Sequence, residues 1–194
     1  MYLPLPAAAE TKLFYCSIEC VRTGALLQKI KKDGKLVVGT APGFPPYEFL
    51  DTSVKDKKSI TGIDIKIAEA VAKKLGVKLE VQDMTFQSLL ASITTGKIDI
   101  AISAITPTAE REKTVDFSDS YLVGKHTLLV RKEDAGKYKT LSDFNGKKIA
   151  VQKSSLQEKL TNEQIKDAQV VSLTKVPDAL LELQQAKSMS VPVQ

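Results

Sequence analysis

Apolar and polar positions along this chain fall into blocks that switch between helical and strand spacing. From Gly24, the residues Leu26, Leu27 and Ile30 recur among Lys29, Lys31 and Lys32, the pattern of a short amphipathic helix that Gly34 ends. Leu36-Val-Val-Gly-Thr40 reads as a buried strand. Its exit, Ala41 to Phe49, is a proline-stiffened loop carrying Phe44, Tyr47 and Phe49. Asp51 to Ser59 is polar and predicts a hairpin or exposed loop. Thr61 to Gly76 repeats apolar residues at Ile67, Ala70, Val71 and Leu75 and ends in glycine, which predicts a helix. Val77 to Val81 alternates as a strand, and Phe86 to Ile93 reads as a helix capped by Thr85 and closed by Gly96. The run Ile98 to Ile105 is apolar but too short for a helix, and it stops at Pro107. A helix start is expected at Thr108, with Arg111 within its first turn.

The second half repeats this grammar. His126 to Val130 reads as a strand, Leu141 to Gly146 as a helical turn and Lys148 to Val151 as a strand. Ser155 with Glu158 forms a capping-box signature that opens a helix. Gln169 to Leu173 is a further strand, and Pro177 suits the first turn of a helix running to Gln185. Strand and helix alternate in both halves, the signature of α/β architecture with parallel strands covered by helices. In such sheets ligands sit beyond the carboxyl ends of the strands, where Phe44 and the stretch Ser103 to Arg111 both fall.

With 194 residues, 43% hydrophobic and 26% charged, the chain has the composition of a globular protein with a core. No apolar stretch is long enough to predict a membrane span. The formal charge of +5 resides in scattered lysine pairs (Lys31 and Lys32, Lys57 and Lys58, Lys73 and Lys74, Lys147 and Lys148) without aromatic interleaving. It describes a solvated surface and gives no sign of nucleic-acid binding. Cys16 and Cys20 are the only cysteines. They build no disulfide framework and lack the second ligand pair of a zinc site, so no metal is expected. Residues 1–23 fit neither a secretion signal, since no Lys or Arg precedes the apolar Met1–Ala9, nor a lipoprotein box, since Tyr15 stands before Cys16 where a small residue belongs.

The candidate chemistry concentrates between Gly96 and Leu122. Ser103, Thr106, backbone N–H groups and Arg111 together suit a carboxylate, because a guanidinium fork grips two oxygens while hydroxyls and amides take the rest. Ser154 and Ser155 stand after the second unit's strand at a helix N-terminus, where a serine serves as a cap or meets an anion. Phe44 and Tyr47 stack on a ligand or plug their loop onto the core. Catalytic constellations are thin: the single histidine, His126, lies inside an expected strand without a catalytic partner. Asp99, Asp116 and Asp119 fall at strand ends and turns where aspartate is commonplace. No phosphate loop, dinucleotide fingerprint or metal box is present.

From Lys35 to Gln185 the chain resembles the extracytoplasmic amino-acid-binding proteins of ABC transporters, the polar amino-acid family of solute-binding proteins. The matching segments, in order, are Leu36-Val-Val-Gly-Thr with Pro45-Pro-Tyr-Glu-Phe, Gly62-Ile-Asp-Ile, Gly96-Lys-Ile-Asp through Arg111, Val115-Asp-Phe-Ser, Asp143-Phe-Asn-Gly-Lys-Lys-Ile-Ala-Val-Gln and Leu180-Leu-Glu-Leu-Gln. The resemblance implies an α/β, two-lobe, type II periplasmic-binding-protein-like fold. Lobe 1 would span residues 24–125 and a partial lobe 2 residues 126–185, followed by an aberrant tail over 186–194. It further implies a monomer in the periplasm or lipid-anchored at the cell surface, delivering an amino acid to an ABC permease, with no cofactor and no catalysis. Arg111 would clamp the ligand α-carboxylate, aided by Thr106 and by Ser155 beside Ser154. Ser103 or Ala104 would meet the α-ammonium, and Phe44 and Ile63 would flank the side chain. Two other classes share the fold, a cyclohexadienyl-dehydratase-like enzyme and the ligand domain of a sensor or receptor.

Departures from the family pattern set further expectations. Ile63 stands where an aromatic is frequent, Lys66 where an acid is, and no acid accompanies Ala41, which favours a smaller or neutral polar amino acid over a cationic one. After Gln185 the family continues with Gly-Lys-x-Asp, whereas Ala186-Lys-Ser-Met follows here. Losing one G from CAG-GGC-AAA-GTC-GAT would produce that change, with the C-terminal part of lobe 2 and the return to lobe 1 missing. Weak ligand binding and marginal stability would follow. The coding DNA checks this: codons that no single-base change brings into register would refute it.

Overall fold

The computed structural model describes residues 2–4, 11–13, 24–51, 53 and 59–193. Cys16 and Cys20 lie outside them. The strands are β1 (Tyr2–Pro4), β2 (Thr11–Leu13), β3 (Lys35–Thr40), β4 (Phe49–Asp51), β5 (Ser59–Thr61), β6 (Lys78–Asp83), β7 (Ile100–Ala101), β8 (Leu122–Gly124), β9 (Thr127–Leu129), β10 (Lys148–Gln152), β11 (Gln169–Leu173) and β12 (Val191–Val193). The α-helices are α1 (Ala25–Asp33), α2 (Ile63–Leu75), α3 (Phe86–Thr94), α4 (Leu156–Gln164) and α5 (Val176–Gln184). By contacts the chain divides into two compact units, Lys12–Leu122 and a second made of Met1–Thr11 with Val123–Gln194.

In the first unit β3 is the central strand, parallel to β6 on one side and β7 on the other. Alternation along β3 sends its side chains to both faces, and both are covered. Val37 packs with Leu89, Ile93, Ile98, Ile105 and Val115 on the α3 side. Leu36 and Val38 pack with Ile30, Ala68, Ala72 and Ile100 against α1 and α2. Gly39 in β3 leaves room for this packing, since a Cβ there would stand 2.5 Å from Ile98 Cδ1. A buried carboxylate locks the register: Asp99 Oδ2 accepts from Val37 N–H at 2.9 Å while Oδ1 pairs with Lys29 Nζ at 2.8 Å. Asp99 is therefore structural. The segment Asp51 to Ser59 is flanked by β4 and β5, whose ends pair antiparallel as in a hairpin.

Two expectations for this unit change. Of the apolar run Ile98 to Ile105, only Ile100–Ala101 is strand, because the chain turns at Ala104, which adopts φ 45°. The helix expected from Thr108 is a single 3-10 turn, Arg111–Lys113. Thr108 closes that turn by accepting from Arg111 N at 3.2 Å and Glu112 N at 2.9 Å, and the buried Val115 then draws the chain back into the core. Thr85 occupies the N-cap position of α3, but its hydroxyl donates to Ser88 Oγ rather than capping the helix backbone.

In the second unit β10 and β11 are parallel, in register from Lys148 with Gln169 to Gln152 with Leu173. Along the other edge of β10, Met189 N donates to Lys148 O at 2.7 Å and Ala150 N to Ser190 O at 3.1 Å. β9 lies between β1 and β12, antiparallel to both. One core cluster gathers Leu128, Val130, Tyr138, Phe144, Ile149, Val151 and Ile165, with Tyr138 stacked on Phe144 at 4.5 Å. Residues 186–194, read as a tail, hold β12 and the buried Val191, and the Ser188 carbonyl accepts from Arg131 Nη1 at 2.8 Å.

The ring of His126 is buried just before β9, and neither nitrogen has a hydrogen-bond partner among the described residues. Burial lowers its pKa below the ordinary 6.5, because the charged imidazolium would lose its hydration. The sign follows: the unfolded chain takes up the proton first, so stability is complete above about pH 6.5 and falls as the pH drops toward the folded value. Thermal melts between about pH 5 and 8 should show this loss, and His126→Leu should flatten the acid side of the profile.

Candidate functional site

The residues expected at the site belong to both units. Phe44, Ile63, Ser103, Ala104, Thr106 and Arg111 lie in the first and Ser154 and Ser155 in the second.

In the first unit the loop after β3 folds onto the N-terminus of α2. Gly43 N and Phe44 N both donate to Glu48 O, and Phe44 stacks on Tyr47 with ring centroids 5.3 Å apart. The peptide between Pro45 and Pro46 is cis. Ile63 N then donates to Pro46 O and Asp64 N to Tyr47 O, both at 3.0 Å, so loop carbonyls take up the helix's first free donors. This seam works only because residue 62 is glycine: its φ is 129°, and a Cβ there would lie 2.0 Å from Tyr47 O. Ile63 is 41% exposed. It lines a shallow depression of about 570 Å³ with Pro46, Phe49, Lys66 and Ile67.

Beside this seam the β7 exit is held by two acids that sequence reasoning did not single out as site residues. Ser103 is 1% exposed; its Oγ accepts from Ala41 N at 3.0 Å and donates to Glu48 Oε1 at 2.8 Å. Ala104 N–H donates to Asp64 Oδ2 at 2.8 Å, and Tyr121 OH donates to Asp64 Oδ1 at 2.6 Å. The Ser103 hydroxyl and Ala104 N–H are thus engaged inside the protein, each by an acid. A signal for Asp64 does exist in the sequence: it falls on the apolar face of α2 with Ile65, Ala68 and Ala72, where an acid is out of place without partners. Burial, then the neighbouring Asp64, pushes the Glu48 carboxyl well above the usual range. Burial also raises Asp64, against the donors from Tyr121, Ala104 and Glu48. Tyr47 and Tyr121 are raised too, first by burial and then by these acids.

Arg111 is half-buried. Its Nη1 donates to Thr106 O at 2.7 Å, and its guanidinium carbon stands 5.6 Å from the centre of the Phe86 ring. These contacts fix the plane of the fork, as bidentate recognition of a carboxylate requires. Burial lowers its pKa without threatening its charge at neutral pH. Thr106 itself is buried. Phe86, the aromatic floor under Arg111, shows in the sequence only as the start of a helix.

In the second unit Ser155 is the N-cap of α4, its Oγ accepting from Glu158 N at 3.1 Å. The capping box is reshaped: Glu158 Oε2 accepts from Ser154 N at 2.6 Å, and Glu158 Oε1 accepts from Ser172 Oγ. Ser154 adopts φ 63°. Among the described residues no group of three or more metal-ligating side chains comes together, and no helix is long and apolar enough to cross a membrane.

A family profile described as bacterial extracellular solute-binding proteins, family 3, matches residues 36–190. An arginine-binding extracellular protein of Bacillus subtilis is 42% identical over 124 residues, which are 64% of this chain and 46% of that protein. A probable histidine-binding protein of Campylobacter jejuni is 38% identical over 152 residues, 78% of this chain and 57% of that one. The chain spans about half the length of the curated relatives it matches. An amino acid ABC transporter substrate-binding protein from Streptococcus pneumoniae, solved with L-arginine bound, is similar with a TM-score of 0.83 and 42% identity, over 87% of this chain and 70% of that one. The architecture expected from the sequence, the type II periplasmic-binding-protein fold, is the one this chain shares with such structures.

Gly62→Ala tests the seam between the loop and α2. A methyl group against Tyr47 O in a conformation hostile to side chains should cost at least about 2 kcal/mol in urea unfolding, whereas the same change at exposed positions costs far less.

Proposed function

Because the chain belongs to the bacterial extracellular solute-binding proteins of family 3, we propose that it captures a polar α-amino acid outside the cytoplasm for delivery to an ABC permease, as a monomeric binder and not as an enzyme. The observation that carries this reading is Arg111, a half-buried cation whose fork is oriented by the Thr106 carbonyl and the Phe86 ring. A surface arginine needs no such setting; one that grips a carboxylate in two places gains from being held rigid before the ligand arrives. The α-carboxylate pairs with Arg111 beside Thr106. The α-ammonium meets the Ser103–Ala104 corner, whose N–H is already turned inward to Asp64. Phe44, stacked on Tyr47, offers an apolar face to the side chain, and Ile63, 41% exposed, is the second apolar candidate.

The relatives named above bind arginine or probably histidine by their descriptions, and both belong in a ligand panel. Ala41 without an accompanying acid and Ile63 in place of an aromatic favour a smaller or neutral side chain for this protein. Titrating the isotope-labelled chain with each of the twenty amino acids, followed by nuclear magnetic resonance, reads even millimolar binding. Saturable shifts should appear at Phe44, Ala104 and Thr106 with at least one polar amino acid, and Arg111→Met should weaken that response by tenfold or more, about 1.4 kcal/mol or above. Silence to every amino acid would overturn the reading, and a stronger response to arginine than to glutamine or serine would overturn the side-chain preference.

A further inference from the structure

The buried acids Glu48 and Asp64 are 2% and 0% exposed, respectively, and they face each other. Their hydrogen bonds divide unevenly. Both Asp64 oxygens accept from neutral donors, Oδ1 from Tyr121 OH and Oδ2 from Ala104 N–H. Glu48 Oε1 accepts from Ser103 Oγ, whereas Glu48 Oε2 is buried and has no hydrogen-bond donor among the described residues, and the carboxyl as a whole interacts with that of Asp64. Two carboxylates cannot hydrogen-bond to one another; a carboxylic acid and a carboxylate can. Donors converge on Asp64, so it is the carboxylate, and the oxygen lacking a donor is where the proton sits. The other titratable groups that feel the pair are Tyr47 and Tyr121, both neutral in the physiological range, and among the described residues no cation acts on either acid. Two adjacent buried negative charges without a cation would repel at close range in a poor dielectric, whereas one shared proton removes that cost.

These acids act on one piece of backbone. Through Ser103 Oγ the Glu48 carboxyl reaches Ala41 N, and through Ala104 N the Asp64 carboxylate holds a residue at φ 45°, a conformation side chains rarely adopt. A strained corner persists only when its surroundings over-determine it.

We propose that Glu48 and Asp64 share a single proton, Glu48 as the acid and Asp64 as the carboxylate, and that this pair is the positioning element that holds the Ser103–Ala104 corner in the shape a ligand meets. The last clause alone rests on the amino-acid reading above. Neither acid touches the ligand; both act through Ser103 and Ala104. Glutamine at position 48 would keep the arrangement, its amide N–H donating to Asp64 and its carbonyl accepting from Ser103 Oγ, with no proton to lose. Alanine would remove the acceptor of the Ser103 hydroxyl and the acid beside Asp64, which would keep only its bonds from Tyr121 and Ala104.

The shared proton is tested on the whole chain without ligand. At neutral pH, infrared difference spectra of wild type against Glu48→Gln should show the carbonyl stretch of a protonated carboxylic acid in the wild type only. A raised folded pKa gives a contribution that is full below the unfolded value of 4.5 and is lost as the pH rises through the folded value. The stability advantage of wild type over Glu48→Gln should therefore shrink steadily on going alkaline. Absence of the band, or parallel pH profiles for the two proteins, would overturn the shared proton. The positioning role is tested by the amino acid identified in the titration: wild-type affinity should fall by up to tenfold per pH unit above the folded value, while Glu48→Gln stays flat and Glu48→Ala loses binding. A wild-type profile that does not steepen relative to Glu48→Gln would overturn that role. Failure of every amino acid to bind would count against the amino-acid reading, and the infrared band and melting profiles would still decide the shared proton.

Discussion

The corner at Ser103–Ala104 depends on two carboxyl groups buried beneath it. Asp64 arrives from the first turn of α2, Glu48 from the loop after β3, and Tyr121 from the far end of the unit, so three segments distant in sequence meet at one polar point. Apolar packing alone would not hold a non-glycine residue at φ 45°; the bond that the Ala104 N–H donates to the buried Asp64 carboxyl does. Everything next to the corner inherits its position, from the end of β7 to the short turn that carries Arg111.

The surrounding scaffold supplies rigidity by ordinary means. β3 is buried on both faces, and its register with β7 is fixed by Asp99, which ties Val37 N–H to Lys29. The α2 helix cannot move independently of the Phe44–Tyr47 loop, because the Tyr47 carbonyl sits where a side chain at Gly62 would be. The polar groups of the candidate site are thus mounted on elements whose own freedom is already removed. The second unit follows the same plan with a parallel pair, β10 and β11, and a serine-capped helix, although there the Glu158 carboxylate already engages the Ser154 N–H.

Much of this was legible from spacing. The helices α1, α2, α3, α4 and α5 and the strands β3, β6, β10 and β11 fall where apolar periodicity and glycine or serine boundaries put them, because each buries one continuous stripe against a sheet. The motif order from Leu36 to Gln185 also identified the family. Legibility failed where polar contacts across the sequence decide the conformation. Nothing local tells the chain to leave the strand after Ala101 before its apolar run is finished, or to stop at one turn after Thr108. Thr85 stands at a helix start without capping it, and its hydroxyl donates to Ser88 Oγ instead.

The sequence by itself determined the α/β class, the alternation of elements, the family and the residue types available for a carboxylate, because these depend on side-chain period, turn chemistry and motif order within short windows. Only the tertiary structure decided which polar groups face one another. It buried Glu48 and Asp64, set Phe86 under Arg111, committed the Ser103 hydroxyl to Glu48 and exposed Ile63. The physical reason is that a buried polar atom's behaviour is fixed by its partners, and those partners come from anywhere in the chain.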